Sequence, residues 1–562
     1  MIFKSESILR AWRWGAGLVL GTAAACVLAA SPVKAAGPVA FTQDGTFRGV
    51  ATGTMNEFLG MRYAQSPAGA FRWKPPRPAL PSFAIQNATV FANHCPQAAS
   101  PFGLVSNTED CLFLNVFTPP SLLADRDSHN VGLRPVMFWM HGGALVVGES
   151  NDYDPTRLVE QGVIVVTINY RLGALGYLAH PAFGAEAADP DNDGDIDHPA
   201  SSGNYGLMDQ QLAMRWVKRN IIFFGGDPNN ITIFGESAGG LSTFSNLVSP
   251  TAAGLFERAI VESGAYRLSL PSLATAEAQG EAFATAVGCS DQTAACLRAV
   301  PLATILADES AGGYVTNVDG AVLPQSIDAA LASGQFNRVP LVNGTNHDEW
   351  RLFVALDTVI PILEAGGNVE ALVNPATYPN LIAATLGIPV AATGPIVALY
   401  PPGTTTLSTE LALGALGTDS IFACPAHFAT SLAAQFVPTF AYEFNDENAP
   451  QNFLPNVAFP YGASHASEIQ YLFKIQAPIP TTLDAVQTEL STNMVSYWTE
   501  FAEVANPNDF GTPFWPRFDV AVDDIQSLVP PTPATEFNFF AAHNCAFWDA
   551  ASGRTLPTSS AH

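Results

Sequence analysis

Basic residues are scarce in this chain. Its 562 residues include 24 Lys and Arg against 50 Asp and Glu, which gives a formal net charge of −26 at pH 7. A strongly acidic surface repels phosphate backbones, so the charge balance argues against nucleic acid as a partner. Charged residues make up only 13% of the chain and hydrophobic residues 48%. We therefore expect a folded protein with a large buried core and not a disordered one.

Long uncharged apolar stretches are lacking beyond the amino terminus. There, Lys4, Arg10 and Arg13 precede or open an apolar segment, and residues 33–35 (Val-Lys-Ala) suit cleavage after a small residue. This pattern predicts a signal peptide over residues 1–36, with a retained membrane anchor as the alternative. We therefore expect a secreted or periplasmic protein that has no stable membrane insertion once the signal is cleaved.

Paired C-x-x-C motifs are also lacking, which argues against a zinc site. Seven cysteines are present, and loss of Cys26 with the signal leaves six. An oxidising compartment favours three disulfides, although six cysteines allow 15 pairings. The six are Cys95, Cys111, Cys289, Cys296, Cys424 and Cys545. The first four form two pairs that are close in sequence, which leaves the last two for the third bridge.

Short apolar runs predict the fold class. Runs typical of buried parallel strands occur at 136–140, 163–170, 231–234, 259–261, 339–342 and 439–444. The segment 207–220 has the i, i+4 apolar spacing of an amphipathic helix, with Asp209, Arg215 and Lys218 expected on its outer face. Strands separated by helices predict an α/β fold, with a large, mostly parallel central sheet flanked by helices. Residues 270–435 are expected to be helical and loop excursions, so that 37–562 forms a single domain.

The segment Gly235-Glu236-Ser237-Ala238-Gly239 directly follows the predicted strand 231–234. G-x-S-x-G is typical of a nucleophile elbow, where small residues permit a strained turn that exposes the serine hydroxyl above the sheet. A glycine-rich turn at a strand end is the alternative interpretation. The position of the motif between a strand and a helix favours the elbow.

The segment His141-Gly142-Gly143-Ala144 follows the predicted strand 136–140. Ester hydrolysis needs donors directed at the developing oxyanion, and a loop of this type supplies backbone N–H groups for it. A tight turn that packs against the next strand is the alternative.

A serine nucleophile needs a base, and the base needs an acid that fixes its tautomer. In α/β-hydrolases the acid and then the histidine follow the serine along the chain. Asp348 and Glu349 come after the predicted strand 339–342 and are candidates for the acid. Chain order alone leaves four histidines eligible as the base, namely His347, His427, His465 and His543.

Several motifs resemble those of the type-B carboxylesterases, the family that includes the cholinesterases. They lie at 58–60, 63–64, 109–112, 169–171, 203–210, 224–228 up to the serine elbow, and 346–349. The similarity runs from about residue 38 to 550. It implies an α/β-hydrolase fold and a serine carboxylic ester hydrolase that forms an acyl-enzyme from small-molecule esters, with no cofactor for catalysis.

The resemblance also implies roles for single residues. The implied triad is Ser237 as nucleophile, Glu349 as acid and His465 as base. The implied oxyanion donors are the backbone N–H groups of Gly143, Ala144 and Ala238. Many members have a third glycine at the position of Ala144, and a methyl group there is tolerated if φ is negative. The three disulfides match the family's positions.

Other functions on the same fold remain open. A lactonase, an amidase or a polyester hydrolase would use the same triad, and a non-catalytic adhesion protein would lack the nucleophile. Cholinesterases place a tryptophan inside their first disulfide loop for cation–π contact. Here Phe102 is the one aromatic side chain between Cys95 and Cys111, so selectivity for choline esters is not expected.

An acidic segment upstream of the serine motif resembles the first half of a calcium loop. Carboxylates at 189, 191 and 193 precede Gly194, and the ninth position is again acidic. The candidate ligands are Asp189, Asp191, Asp193, Asp195 and Asp197. Position twelve is Ala200 and not the usual glutamate. We expect a structural Ca²⁺ here, with a solvated acidic loop as the alternative.

Overall fold

A computed structural model describes residues 37–120, 132–187, 202–308 and 313–556. The predicted signal peptide and the acidic segment 189–197 lie outside the described residues. The strands are β1 (Val39–Thr42), β2 (Gly45–Arg48), β3 (Val50–Ala51), β4 (Asn56–Arg62), β5 (Ile85–Asn87), β6 (Phe113–Thr118), β7 (Arg134–Met140), β8 (Tyr153–Asp154), β9 (Ile164–Ile168), β10 (Gly226–Glu236), β11 (Arg258–Glu262), β12 (Leu341–Asn346), β13 (Thr439–Phe444), β14 (Lys474–Ile475), β15 (Ile525–Leu528) and β16 (Ala534–Glu536).

The described strands form one large sheet and two small ones. The large sheet has 11 strands in the order β16-β15-β13-β12-β11-β10-β7-β9-β6-β4-β3. All neighbours from β15 to β9 are parallel, and the strands at both edges pair antiparallel. The small sheets are β1-β2-β5 and β14-β8. The predicted large and mostly parallel sheet is confirmed.

Helices connect these strands and pack on both faces of the sheet. The α-helices are Thr156–Glu160, Gly173–Tyr177, Pro181–Ala187, Tyr205–Asn220, Ala238–Val248, Leu273–Ala286, Ala294–Ala299, Leu302–Asp308, Ile327–Ser333, Trp350–Val354, Ile360–Glu364, Val369–Leu372, Tyr378–Leu386, Gly394–Leu399, Thr406–Gly417, Cys424–Ala433, Ile469–Leu472, Ala485–Val504, Phe539–Ala542 and Cys545–Ser552. Two π-helical turns, Ala355–Val359 and Thr418–Ala423, interrupt this series. Short 3₁₀ turns lie at Gly69–Phe71, Ser150–Asp152, Ile221–Phe224, Pro250–Ala252, Ala265–Arg267 and Val390–Ala392.

Strand β7 shows why both faces of the sheet are covered. Its side chains alternate between two hydrophobic clusters, because successive residues of a strand point to opposite faces. Phe138 and Met140 belong to a cluster with Trp216, whereas Met137 and Trp139 belong to the other face. The strand is apolar at every position from 136 to 140 and is buried there, as is typical of a parallel strand inside an α/β sheet.

Each predicted strand is present, with ends that differ by a few residues. The structure extends the run at 231–234 to β10 and begins the helix at Tyr205. The expected outward orientation of Asp209 is wrong, because the side chain is fully buried. Arg171 donates to both of its carboxylate oxygens, at 2.8 Å from Nε and 2.7 Å from Nη2. A charged residue on a helix can therefore face the core when a buried partner of opposite charge pairs with it.

The described residues contain three disulfides, which are the two pairs close in sequence and the pair that these leave over. Cys95 bonds to Cys111, Cys289 to Cys296, and Cys424 to Cys545. The third bridge joins the helix Cys424–Ala433 to the helix Cys545–Ser552. Among the described residues, no helix combines the length and apolarity that a membrane crossing requires.

Candidate active site

The predicted elbow is a sharp turn between β10 and the helix Ala238–Val248. Ser237 has φ +56° and ψ −118°, a conformation that costs free energy for a residue with a Cβ. Its backbone N–H donates to Glu262 O at 2.9 Å. A Cβ at Gly239 would overlap the carbonyl oxygen of Met140, so only glycine lets the elbow pack this closely on β7. The strained turn expected from G-x-S-x-G is therefore formed.

His465 and Glu349 meet beside this turn, although 116 positions separate them in the sequence. The imidazole Nδ1 lies 2.5 Å from Glu349 Oε2, and Glu349 is fully buried. The other carboxylate oxygen, Oε1, accepts from Thr345 Oγ1 and from Asn346 N, both at 2.8 Å. On the opposite side of the ring, His465 Nε2 lies 3.2 Å from Glu236 Oε1. The carboxylate thus orients the imidazole toward the elbow.

The other histidines that chain order left eligible lie in different surroundings. His347 Nδ1 lies 3.3 Å from Asp348, and the side chain is 43% exposed. His427 Nε2 lies 3.0 Å from Asp523 Oδ1. His543 is held by two carboxylates, which raise its pKa to about 10 against the effect of burial. Of the four, His465 alone contacts a residue of the elbow motif among the described contacts.

The segment 141–148, here called the oxyanion loop, begins where β7 ends and turns back on itself. Val146 N and Val147 N both donate to Gly143 O at 3.0 Å. The N–H groups of Gly143, Ala144 and Ala238 donate to no acceptor within the described part of the chain. Ala238 opens a helix, so its N–H has no intrahelical acceptor.

Ala144 departs from the sequence expectation. Its φ is +55°, and that of Leu145 is +63°, whereas a negative φ was the condition for tolerating a methyl group. The left-handed region costs a residue with a Cβ about 1–2 kcal/mol. The loop therefore holds a strained residue at position 144, where a glycine would adopt the same positive φ without this cost.

His141 anchors the start of the oxyanion loop through its backbone and its ring. Tyr170 donates its hydroxyl to His141 O at 2.6 Å, and the two rings stack with centroids 4.5 Å apart. Burial lowers the pKa of His141 to about 4. The imidazole is thus neutral at physiological pH and packs against the core.

Buried carboxyl groups surround His465. Burial raises the pKa of Glu236 and of Glu468 well above the ordinary value, and the nearby carboxylates raise both further. The pKa of Glu262 is raised by burial to about 8, although a hydrogen bond from Trp498 offsets part of the shift. Because neighbouring negative charges disfavour one another, these shifts favour the protonated forms of Glu236 and Glu468. Glu236 lies inside the serine motif, whereas no motif marks Glu468, three residues after His465.

Two further residues, Asn346 and Asp348, hold the loop of His465. Asn346 Nδ2 donates to Ser464 O at 2.9 Å and to Glu468 Oε2 at 2.6 Å. Asp348 accepts from Ala463 N at 3.1 Å. Asn346 is the last residue of β12 and Asp348 follows it, both within the motif 346–349. The position of the motif at the end of β12 could have indicated that both residues lie near the site. Their hydrogen-bond partners are more than a hundred residues away in sequence, so the sequence did not indicate the contacts themselves.

Two aromatic side chains border the imidazole, and one of them also lines a cavity. The rings of Phe353 and Phe422 lie with centroids 5.1 Å and 5.0 Å from that of His465. Phe353 also lines a cavity of about 500 Å³ that includes Trp350 and Tyr266. The volume falls in the range of small-molecule sites.

Metal ligands are not assembled anywhere in the described residues. No group of three or more His, Cys, Asp or Glu side chains there could hold a metal ion. The predicted calcium ligands lie outside these residues. The parallel sheet, the elbow after β10 and the buried Glu349 after β12 together define the class of the protein, an α/β-hydrolase.

Comparison with known proteins identifies the family within this class. A model of the carboxylesterase family matches residues 36–548. Over 554 residues the chain is 31% identical to the pyrethroid hydrolase Ces2e of Rattus norvegicus, covering 93% of this chain and 90% of that protein. It is 32% identical over 500 residues to the para-nitrobenzyl esterase of Bacillus subtilis, covering 85% and 92%. It is 30% identical over 555 residues to the cocaine esterase of Homo sapiens, covering 92% and 92%. The chain belongs to the carboxylesterase family and is a carboxylic ester hydrolase.

Proposed function

We propose that the protein is an exported serine esterase that hydrolyses small-molecule carboxylic esters through an acyl-enzyme. In this proposal Ser237 is the nucleophile, His465 the base and Glu349 the acid. The observation that carries it is the position of His465, with Nδ1 2.5 Å from Glu349 and Nε2 3.2 Å from the residue that precedes Ser237. An imidazole oriented by a carboxylate and directed at a strained serine turn is the arrangement that nucleophilic catalysis requires.

The reaction would proceed in two similar halves. His465 Nε2 takes the proton of Ser237 as the hydroxyl oxygen attacks the ester carbonyl, and the imidazolium then returns a proton to the leaving alcohol. Water attacks the resulting acyl-enzyme with the same proton transfers and releases the carboxylic acid. Glu349 stays ionised and stabilises the imidazolium, with Thr345 and Asn346 holding its second oxygen.

Glu236, the residue before the proposed nucleophile, has a proposed part of its own. Burial and nearby carboxylates raise its pKa well above the ordinary value, which favours the neutral form. A neutral Glu236 does not compete with Glu349 for the imidazolium charge. When substrate arrives, His465 Nε2 can give up its contact with Glu236 and contact the hydroxyl of Ser237 instead.

Three backbone N–H groups would stabilise the tetrahedral oxyanion. Gly143, Ala144 and Ala238 carry these donors, and Gly142 brings the oxyanion loop against the elbow. A Cβ built on Gly142 would lie 3.2 Å from Ser237 Cβ, which measures how closely the two segments approach. Preorganised donors of this kind contribute about 10²- to 10³-fold to the rate each.

The substrate proposal rests on the cavity and on the relatives. The cavity of about 500 Å³ is lined by Phe353, whose ring lies beside His465, but by none of the three proposed triad residues; small-molecule sites of this size bury most of a ligand. The relatives' names point to ester hydrolysis, as in the para-nitrobenzyl esterase and the cocaine esterase. From these names we extend to this chain only the substrate class that they share, which is the carboxylic esters of small molecules.

Export and calcium binding remain predictions. The three disulfides of the described residues are consistent with an oxidising compartment. The signal peptide over residues 1–36, the single domain over 37–562 and a structural Ca²⁺ in the segment 189–197 rest on the sequence patterns alone.

Kinetics of triad variants test the proposal. Ser237→Ala should lower kcat by about 10⁴- to 10⁶-fold without loss of the folded state. His465→Ala and Glu349→Gln should each cost several orders of magnitude, and the losses should not multiply in the double variant, because the three groups act as a unit. His427→Ala is the matched control, since that imidazole pairs with Asp523 away from the elbow.

A panel of esters graded by acyl length and alcohol size, with one lactone, one polyester fragment and one amide, defines the substrate class in the same assay. Fast turnover of the amide or the lactone relative to simple esters would favour those alternatives. Activity that survives Ser237→Ala would reject the proposed nucleophile.

A further inference from the structure

The loop closed by the first disulfide packs on the oxyanion loop. Residues 95–111, here called the bridged loop, are joined at their ends by Cys95 and Cys111. Gln97 lies two positions after the first cysteine and is fully buried. Its backbone pairs across the bridged loop with Ser106, at 3.1 Å from Gln97 N and 3.0 Å from Ser106 N. The position of Gln97 is thus fixed by a disulfide and a β-bridge.

The side chain of Gln97 makes two hydrogen bonds to one backbone residue. Gly148 N donates to Gln97 Oε1 at 2.6 Å, and Gln97 Nε2 donates to Gly148 O at 3.1 Å. The amide therefore satisfies both polar backbone groups of Gly148, as a neighbouring strand would. Both bonds are buried, so water does not replace either of them without rearrangement.

Gly148 in turn lies directly against the start of the oxyanion loop. Its φ is +115°, and a Cβ there would overlap His141 Nδ1 and lie 2.7 Å from Gly142 O. On its other side, a Cβ on Gly103 of the bridged loop would lie 3.1 Å from Gly148 N. Gly148, the last residue of the oxyanion loop, is thus held between the start of that loop and the bridged loop, and its position limits where the rest of the oxyanion loop can lie.

A second link joins the same two segments. The residue after Gly148, Glu149, accepts from Leu104 N at 3.2 Å and lies 2.9 Å from His94 Nδ1. Burial alone would lower the pKa of His94, but the hydrogen bond and charge of Glu149 raise it overall. The first link joins the bridged loop to Gly148. The second joins the bridged loop and the residue before it to Glu149.

We propose that Gln97 is a positioning residue for ester hydrolysis. By holding Gly148, it fixes the oxyanion loop so that the N–H groups of Gly143 and Ala144 are already directed at the place where the oxyanion forms. The inference rests on the proposed function. Gln97 acts through the backbone and does not touch the substrate. Fixed donors stabilise the transition state more than the bound ester, and a displacement of about 1 Å can cost roughly 100-fold in rate.

Gln97→Leu removes both hydrogen bonds while keeping a side chain of similar size. We expect kcat to fall at least about tenfold while KM stays within a factor of about three, because ground-state binding does not use the oxyanion donors. The inhibition constant of a trifluoromethyl ketone, whose adduct with the serine places an oxyanion in the hole, should rise by a similar factor. Binding of the product alcohol should not change.

Gln211→Leu is the matched control. Gln211 is also buried and also makes two hydrogen bonds, to Ser249 and from Thr251. It lies on the helix Tyr205–Asn220 and contacts neither loop through these bonds. Its replacement should lower the melting temperature without changing kcat.

Gln97→Glu supplies a signature that a merely structural role would not produce. A neutral glutamic acid can accept from Gly148 N and donate its hydroxyl to Gly148 O, as glutamine does, whereas the ionised form cannot donate. The ratio of kcat for Gln97→Glu to kcat for the unmodified protein should therefore fall as pH rises through the pKa of the new carboxyl, which burial raises.

Three results would overturn the role of Gln97: a folded Gln97→Leu protein with unchanged kcat, an equal loss of kcat in Gln211→Leu, or a Gln97→Glu ratio that is independent of pH. If Gln97→Leu does not fold, the pH series of Gln97→Glu decides the matter. A fully active Ser237→Ala protein would reject the proposed function itself. An inactive Ser237→Ala protein beside an unimpaired Gln97→Leu protein would reject only the role of Gln97.

Discussion

Replacing Glu262 by glutamine should flatten the pH dependence of stability. Glu262 is the last residue of β11 and is fully buried. Trp498 Nε1 donates to its Oε1 at 2.7 Å, and Oε2 has no hydrogen-bond partner in the described part of the chain. Burial raises the pKa of this carboxyl to about 8. Glutamine keeps the acceptor for Trp498 and cannot ionise.

The direction and size of the effect follow from the pKa. The native carboxyl keeps its proton at pH values where the unfolded chain has lost it, so its contribution to stability is complete below the ordinary pKa of 4.5 and is lost as pH rises to about 8. One pKa unit corresponds to about 1.4 kcal/mol, so this interval sets an upper limit of about 5 kcal/mol. Glu236 and Glu468 add slope of the same sign. The Glu262 charge raises the pKa of both, so the difference between variant and unmodified protein includes this coupling as well as the titration of Glu262 itself.

Urea unfolding at several pH values from 5 to 9 measures the effect. The free energy of unfolding should fall less steeply with pH in Glu262→Gln, which should be the more stable protein at pH 9. Glu503→Gln replaces an exposed carboxylate and should follow the unmodified protein. Parallel curves for Glu262→Gln and the unmodified protein over the whole range would refute the reasoning.

Three further predictions concern stability. Asp209→Asn should lower the free energy of unfolding by about 3–5 kcal/mol, because it leaves Arg171 buried without its counterion; a loss below about 1 kcal/mol in chemical denaturation would contradict this. Ala144→Gly should leave stability unchanged or raise it by up to about 1 kcal/mol by relieving the positive φ, whereas Ala278→Gly, within a helix, should cost about 1 kcal/mol; equal losses in denaturant unfolding would argue against strain. Chelation should lower the melting temperature if the segment 189–197 holds calcium, and Ca²⁺ should restore it better than Mg²⁺; metal-free protein with an unchanged melting curve would reject the site.

The central sheet could be predicted from sequence because its strands are buried on both faces. Every residue of β9 is buried, and such strands appear as continuous apolar runs. The antiparallel strands β4 and β6 were not predicted. Polar residues interrupt both, and the register of their pairing shifts between Phe58 and Met61. The helix Ala485–Val504 was also not predicted, since its apolar positions give only a weak helical period.

The candidate site divides in the same way between local and distant contacts. The elbow and the oxyanion loop are local turns, so glycine spacing indicates them. The choice of His465 among four histidines depends on a contact with Glu349 across 116 positions, which chain order does not encode. Gln97 gave no signal for the same reason, since its partner Gly148 is 51 residues away. Ala144 shows the converse, because the tertiary contacts of the loop impose a φ that its residue type disfavours.

Covalent labelling tests the central claim most directly. The protein is incubated with an organophosphonate that carries a good leaving group, digested, and mapped by mass spectrometry while residual esterase activity is followed. We predict one adduct per chain, on Ser237, formed at the rate at which activity is lost, and no adduct in Ser237→Ala. Complete inactivation with the adduct on another residue, or an adduct on Ser237 with full activity, would contradict the account.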